Sequence, residues 1–439
     1  LVWRKELRKN NGVFHLIVCD ISSFYSEQGG GVRTYHHAKL EYFARHPEHT
    51  YILIAAGPSN TRRIVEGGVI YTVRGFPVSS SGAYRQIWDW VEIRRILEEE
   101  KPDVIESGSP YLDGWLSLFG RKPWRPAVVG FYHADFPDSY MAPAVEGLPR
   151  ALSRPFVGFW RKYVKMSYAR FDATVVTTGY VESKLRGYGL RNTVRIPLGV
   201  NIDLFHPSKR SQQIRQELGV RPEQKLLLYC GRFSSEKGID ELCDAVRLLG
   251  QREDLRFVLV GTGPWEEKVR AVVSQATNAS IHGYIRDREK LAATIASADV
   301  FLAPGPYETF GLSVLEALAS GVPVVSAASG GAGEMVRGSA GGVVFEPGSG
   351  EDFVCAIDSL VSADTCVVGR VGRKFVEESF SWNNTFDRMC AVYEELKDAK
   401  RTDYRLHTRR LASLGGANRK GRDGRGALGA VSADFARGA

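Results

Sequence analysis

One stretch limits what this chain can fold into more than any other: residues 304–325, PGPYETFGLSVLEALASGVPVV. Thr309 is placed to cap a helix from about Phe310, Gly321 stands where a C-terminal glycine belongs, and Pro323 forbids continuation. Leu312, Val314, Leu315, Ala317, Leu318 and Ala319 leave little of that helix for solvent, so it should be buried. Its polar positions, Ser313, Glu316 and Ser320, follow the i, i+3, i+7 spacing and share one stripe. A buried carboxylate is costly unless something satisfies it, and a hydroxyl-rich ligand would do so. Glu308 stands just ahead of the helix, beside backbone N–H groups free to hold an anion. Together these features point to a ligand with a phosphate end and a polyol end. A capped surface helix with two solvated glutamates is the plainer reading, and the apolar surroundings count against it.

A chain of 439 residues suits two ordinary domains better than one. No apolar run approaches the roughly 18–20 residues that cross a bilayer, and no secretory-signal pattern is visible. The chain begins on leucine, which leaves its true start open. Six cysteines are scattered without a CxxC pair, which favours reduced thiols in the cytoplasm over a disulfide framework or a zinc site. The net charge of +8 is mostly local: residues 400–439 hold ten Lys/Arg against three Asp/Glu, so the body is near neutral. That Gly- and Arg-rich tail, 399–439, reads as a disordered basic extension. It could touch anionic lipid or nucleic acid, but a merely solubilising extension is the favoured reading, and no specific nucleic-acid partner is inferred.

Along the chain, apolar β-rich runs alternate with helical patterns. The run VFHLIVC (13–19) leads into a glycine cluster, where Gly30 and Gly31 ahead of a helix let backbone amides approach a ligand. A plain loop fits the same residues. Runs at 50–56, 69–73, 103–107 and 127–132 continue the alternation and argue for a parallel α/β sheet. His133 follows the last of these, at a strand end where doubly wound folds gather ligands, although a lone histidine is often structural. Residues 148–171 hold six Lys/Arg, no acid and several aromatics, which fits either a membrane-surface contact or a packed helix with solvated arginines. Gly/Pro punctuation marks a boundary near 200–220, and the alternation restarts at 225. There GRFSSEKG places Arg232 and Lys237 between a strand and a helix, a natural diphosphate clamp. VGTGPWE lacks the third glycine of a dinucleotide fingerprint, which weakens a nicotinamide-cofactor reading. In SIHGYIRD the backbone near Tyr284 and Ile285 could lie against a base. A terminal helix of period 3.6 begins near Ser379.

Glu308 and Glu316, with Phe310, Gly311 and Leu312 between them, resemble the Glu-x7-Glu signature of retaining GT-B glycosyltransferases, family 4 (glycosyl transferases group 1). The glycine cluster, FYHADFP, PLGVNIDLFHP, GRFSSEKG and VGTGP extend the resemblance over residues 13 to about 398. Within the family the wording looks most like cell-envelope glycolipid mannosyltransferases and sulfolipid-synthase relatives. The resemblance implies an α/β fold of GT-B type, two Rossmann-like domains facing a central cleft. Residues 1–200, completed by a helix at about 382–398, would form the acceptor side, and 201–381 would bind the donor. It implies a donor diphosphate held by amides of Gly30, Gly31, Gly311, Leu312 and Ser313, with Arg232 and Lys237 neutralising charge. Tyr284, Ile285 and Phe310 would line the donor site, Glu316 would take the ribose hydroxyls, and Glu308 and His133 would meet the donor sugar. The partners implied are a nucleotide sugar and a lipid or glycan acceptor, at the cytoplasmic face of the plasma membrane, with no cofactor. No Asp-x-Asp pair occurs, which suits metal-independent transfer. A GT-B-type epimerase would need a further set of acids, a phosphorylase would need a Schiff-base lysine, and a silent binding subunit would not need all five of His133, Arg232, Lys237, Glu308 and Glu316.

Overall fold

The apolar runs become strands of two separate sheets. The structure, a computed structural model, describes residues 15–25, 30–78, 85–109, 112–119, 124, 126–145 and 147–417. The first sheet contains β1 (Ile17–Ser22), β2 (Thr50–Gly57), β3 (Thr61–Val65), β4 (Gly68–Pro77), β5 (Arg85–Ile87), β6 (Val104–Ser107), β7 (Ala127–Phe131), β8 (Ala173–Val176) and β9 (Thr193–Arg195). Its order is β3-β4-β2-β1-β6-β7-β8-β9, parallel apart from β3 and β5, which pair antiparallel with β4. The second sheet contains β10 (Lys225–Cys230), β11 (Leu255–Val260), β12 (Ala279–His282), β13 (Val300–Ala303), β14 (Val324–Ala327) and β15 (Gly342–Phe345). It is wholly parallel, in the order β12-β11-β10-β13-β14-β15. This is the GT-B architecture. The first strand starts at Ile17 rather than at 13, and residues 13, 14 and 29 lie outside the described residues.

Helices cover both faces of each sheet, which is why the central strands are apolar throughout rather than alternating. Those that matter below are α1 (Gly31–Arg45), α2 (Trp90–Glu100), α3 (Leu112–Phe119), α4 (Arg150–Tyr168), α5 (Gly179–Gly187), α6 (Ile239–Leu249), α7 (Arg288–Ala296), α8 (Leu312–Ala319), α9 (Gly330–Ser339) and α10 (Trp382–Ala417). β1 lies between β2 and β6, and β10 between β11 and β13, so the order of each sheet reverses there. The crevice beyond the strand ends at such a switch is the natural ligand site. One apolar cluster joins the halves, running from Tyr35 and Phe131 through Leu198, Phe205 and Phe386 to Phe310 and Val314.

The last helix crosses back. Val200 N–H donates to Phe380 O at 3.3 Å, a side chain at Gly199 would collide with Trp382 backbone, and Trp382 stacks on Phe386 with centroids 5.5 Å apart. α10 then packs on α1 and β7. It continues to Ala417, so residues 399–417 of the segment expected to lack structure are helical, and 418–439 lie outside the described residues.

Beneath this crossing lies a buried ionic cluster. Lys39 Nζ is 2.9 Å from both Asp20 carboxylate oxygens, 3.2 Å from Glu106 Oε2 and 3.1 Å from Tyr393 OH on α10. Tyr35 OH donates to Glu106 Oε1 and Tyr51 OH to Asp20 Oδ2. Burial opposes every charge here, yet Lys39 holds Asp20 below the ordinary carboxylate range, and the two acids keep Lys39 above the ordinary lysine value. Glu106 is pushed up, by burial and then by Asp20. Lys39→Met should therefore strand two buried acids and cost about 3–5 kcal/mol, measured as a fall in urea-unfolding free energy at neutral pH. A loss below about 1 kcal/mol would show that the acids find other partners.

Candidate functional site

The stretch at 304–325 forms a loop after β13, then α8, then β14. The helix is shorter than the sequence suggests. It starts at Leu312, and its N-cap is Gly311 in the left-handed region at φ 93°, a conformation in which a Cβ would also press on Ala332. Thr309 does not cap it. Its hydroxyl donates to His133 O at 2.7 Å, and its carbonyl accepts from the Thr177 and Thr178 hydroxyls at 3.1 Å each. The C-terminal end is as the sequence suggests, with Gly321 at φ 69° and its N–H on Leu318 O.

Glu308 precedes this helix. Its carbonyl is taken by Gly331 N–H at the start of α9 (2.6 Å), and its carboxylate accepts from Lys237 Nζ at 2.5 Å. Lys237 reaches it from the turn between β10 and α6, where Gly238, at φ 68°, packs against Pro304 with no room for a side chain. Burial opposes the Lys237 charge, but Glu308 outweighs it and raises the lysine above its ordinary value. Glu316, 8% exposed on α8, accepts from Arg288 at 3.0 Å. Burial raises its pKa and Arg288 pulls the other way. Arg288 opens α7 directly after the Tyr284–Ile285 segment, where Tyr284 is half-exposed and Ile285 packs on the core. Arg232, in contrast, is exposed, and its side chain makes no ion pair or hydrogen bond among the described residues.

The first half meets this group from across the cleft. Gly30, at φ 99°, precedes α1, and a Cβ on Gly31 would lie 3.2 Å from Leu312 Cδ1. The N-termini of α1 and α8 are thus neighbours, and both direct first-turn amides and positive dipole ends at the same region. His133, just past β7, stacks on Phe131 with centroids 4.0 Å apart and presents an edge to Tyr35. Burial, reinforced by His36 and Lys39 and opposed by Asp20, drops its pKa to about 3, so the ring is neutral at physiological pH. Its Nε2 has no hydrogen-bond partner among the described residues. Phe310 is buried against Phe380, and Leu312 and Ser313 stand half-buried at the helix front.

The structure thus brings Gly31, Leu312, Glu308, Lys237 and, through Thr309, His133 into one inter-domain region, with Glu316 on the same helix. Two partners were not legible. Arg288 neutralises Glu316, and Glu334 on α9 crosses to the other half, accepting from Gly179 N–H (2.9 Å) and Tyr180 N–H (2.6 Å) at the start of α5. The Thr-Thr-Gly run at 177–179 signals a helix start, but nothing in it says that the second cap comes from 155 residues away. No group of three His, Cys, Asp or Glu among the described residues is arranged for a metal ion.

This arrangement, two doubly wound sheets with facing helix N-termini and charged groups at their switch points, is that of the GT-B class, and the sequence comparisons give the family. The Glycosyltransferase Family 4 model matches residues 29–204, and the Glycosyl transferases group 1 model matches residues 210–368. The chain is 32% identical over 380 residues to the GDP-mannose-dependent alpha-(1-6)-phosphatidylinositol dimannoside mannosyltransferase of Mycobacterium tuberculosis (strain ATCC 25177 / H37Ra), covering 85% of this chain and 95% of that one. It is 28% identical over 291 residues to sulfoquinovosyl transferase SQD2 of Arabidopsis thaliana, covering 64% and 54%. In fold it is similar to the sucrose-phosphate synthase of Thermosynechococcus elongatus, with a TM-score of 0.72 at 21% identity, covering 88% and 100%. The chain belongs to glycosyl transferases group 1, family 4, and is a glycosyltransferase of GT-B fold.

Two outcomes follow from the geometry. Glu334→Ala removes a charged acceptor of two amides, worth about 1.5–3 kcal/mol per bond, and should loosen the contact between halves. The readout is a larger radius of gyration in small-angle scattering with unchanged helix content, and an unchanged radius would show that the carboxylate does not hold the halves. For His133, the unfolded chain takes up a proton from about pH 6.5 downward while the folded ring resists until about 3, so the ring costs stability as pH falls through that window. Wild type should lose stability relative to His133→Gln between about pH 7 and pH 4, measured by denaturant titration at each pH. Parallel losses would mean that the ring protonates freely in the folded protein.

Proposed function

We propose that the chain transfers a hexose, mannose or glucose, from a nucleotide-diphosphate sugar to a lipid or glycan hydroxyl, retaining anomeric configuration and using no metal ion. The observation that carries this reading is the Lys237–Glu308 pair set beside two facing helix N-termini, with His133 tied to the same loop by Thr309. In this reading the diphosphate lies at the amides of Gly30, Gly31, Gly311, Leu312 and Ser313. Lys237 and the exposed Arg232 balance its charge as the bond from the anomeric carbon to the phosphate oxygen breaks. Donors already aimed at a growing negative charge need no reorganisation during the step.

Glu316, held by Arg288, takes the ribose hydroxyls, while the base lies against the Tyr284–Ile285 backbone and Phe310 supports the loop. Glu308 meets the sugar near its anomeric carbon and favours oxocarbenium character. Neutral His133 offers Nε2 to a sugar hydroxyl, as donor or acceptor. The acceptor hydroxyl attacks from the face the phosphate leaves, forms the new C–O bond, and passes its proton to the departing phosphate oxygen. The absence of an Asp-x-Asp pair supports metal-free transfer. The Mycobacterium tuberculosis relative is named for GDP-mannose and a phosphatidylinositol dimannoside, which favours mannose and a lipid acceptor.

Thermal shift with GDP, UDP and ADP should single out one nucleotide, GDP on this reading. Glu316→Ala should mainly raise the donor KM. Lys237→Ala should cut kcat as well, by about 2–4 kcal/mol of transition-state stabilisation. Unchanged kinetics in both variants, or an epimerised sugar nucleotide as product, would overturn the assignment.

A further inference from the structure

The short connection between β5 and α2 carries an aromatic ring that the fold leaves uncovered. Trp88 is 67% exposed, with Phe76 edge-on to it at a centroid distance of 6.3 Å. The backbone on both sides of it is nonetheless fixed. Ahead of it, Gln86 Nε2 and Ile87 N–H both donate to Ser23 Oγ, at 3.1 and 3.2 Å, and Arg85 donates to Gly75 O at 2.8 Å. Behind it, Trp90 N–H donates to Trp88 O at 2.9 Å. Asp89 caps α2, its Oδ1 accepting from Glu92 N–H at 3.1 Å. A large apolar ring, anchored by its neighbours and bare to solvent, is a surface on which a ligand can lie without the ring first having to be ordered.

The ring stands at the cleft edge of the first sheet. Ser23, which anchors it, directly follows β1, at the strand end where the sheet order reverses. Ser22 and His133 meet across Gly108: a Cβ there would lie 3.4 Å from Ser22 Oγ and 3.7 Å from His133 Cδ2. Gly108 therefore sends no side chain into the line that runs from His133 past Ser22 and Ser23 to Trp88. β6 separates β1 from β7, so the ends of those two strands stand roughly 10 Å apart, and Trp88 lies beyond the nearer one. The charges of α2 are closed among themselves, with Arg95 holding Glu92 and Glu99, and Arg94 holding Glu98. Asp89 is the exception. It is half-buried next to Trp88, and its Oδ2 has no partner among the described residues.

We propose that Trp88 and Asp89 form a subsite for a sugar of the acceptor, a ring beyond the one that receives the transferred hexose. The C–H face of a pyranose is slightly positive and matches the negative face of the indole. A carboxylate oxygen beside that face accepts hydroxyls from the edge of the same ring, and a charged acceptor makes those bonds the stronger kind. A neutral, hydroxyl-rich ligand suits this place, because the surrounding charges are already paired and the one left over is an acceptor. An anionic surface does not suit it, because Asp89 would repel it. The distance from His133 sets which ring is met: the sugar at the reacting hydroxyl lies over Ser22 and Gly108, and the next one reaches Trp88. The subsite rests on the hexosyl-transfer reading above, in which mannose is favoured, for its place in the reaction.

The test uses two soluble probes that carry no lipid, methyl α-mannoside and α-1,6-mannobiose, with binding to the full chain read by saturation-transfer NMR. Wild type should bind the disaccharide about fivefold more tightly than the monosaccharide, and Trp88→Ala should erase that advantage. Trp88→Phe keeps an aromatic face and should stay within about twofold of wild type. Asp89→Asn preserves the helix cap, since asparagine caps as well as aspartate, and should weaken disaccharide binding about threefold. In turnover from GDP-mannose, Trp88→Ala should lower kcat/KM for the disaccharide and leave that for the monosaccharide unchanged. An equal fall for both acceptors would overturn the assignment to a second ring. Equal binding of the two probes by wild type, no binding of either, or unchanged binding in Trp88→Ala would overturn the subsite. So would a dimer in light scattering that Trp88→Ala dissolves, because the ring would then cover a second copy. The thermal shift given by GDP should be the same in wild type and in all three variants. A wild type that GDP stabilises but mannobiose does not bind would remove this subsite alone, whereas mannobiose binding that depends on Trp88 without any GDP shift would remove the donor reading alone.

Discussion

The peptide of Thr309 is the joint on which the site depends. Its carbonyl accepts two threonine hydroxyls from the end of β8, and its own hydroxyl donates to the carbonyl of His133 at the end of β7. On the proposed reading each half supplies only part of the chemistry. The second half holds Lys237, Glu308 and Glu316, and the first holds His133 and the amides of Gly30 and Gly31. Short directional bonds at one residue set their separation more tightly than the broad apolar contact around Phe310 and Phe386 could, because apolar packing has no preferred direction.

Electrostatics in the two halves are handled differently. In the first half every charge under α1 is matched inside the protein, Lys39 against Asp20 and Glu106, and His133 is kept neutral by burial beside them. In the second half Lys237 pairs with Glu308 and Arg288 with the buried Glu316, while Arg232 stands exposed. The first arrangement keeps a polar ring available without adding a cation to it. The second leaves Lys237 and Arg288 each steadied by a carboxylate.

Much of this was legible in the sequence because parallel strands buried on both faces are written as unbroken apolar runs, as in KLLLYC, AVVGF and ADVFLA. Short or exposed strands were not: TRRIV at 61–65 is solvent-facing over most of its length and has the composition of a loop. The helix front was misjudged by two residues because Thr309 has a capping side chain that the opposite half uses instead. Lys237 and Glu308 were visible as residue types in loops of known kind, but Arg288 and Glu334 were not, since a salt bridge or cap between distant segments leaves no local pattern. The terminal helix overran its expected end because composition reports average polarity, while backbone helicity needs no apolar face of its own where lysine, arginine and leucine are good helix formers.

The crossing of α10 has a consequence for synthesis. Lys39 finds Tyr393 only 354 positions later, and His15 and Asp103 receive Lys397 from a similarly remote point. A nascent chain elongating at roughly 5–20 residues per second leaves that lysine without its tyrosine for tens of seconds. The second sheet, whose strands all lie between 225 and 345, has everything it needs sooner. Emergence from the ribosome therefore inverts the order of completion: the half made first is finished last.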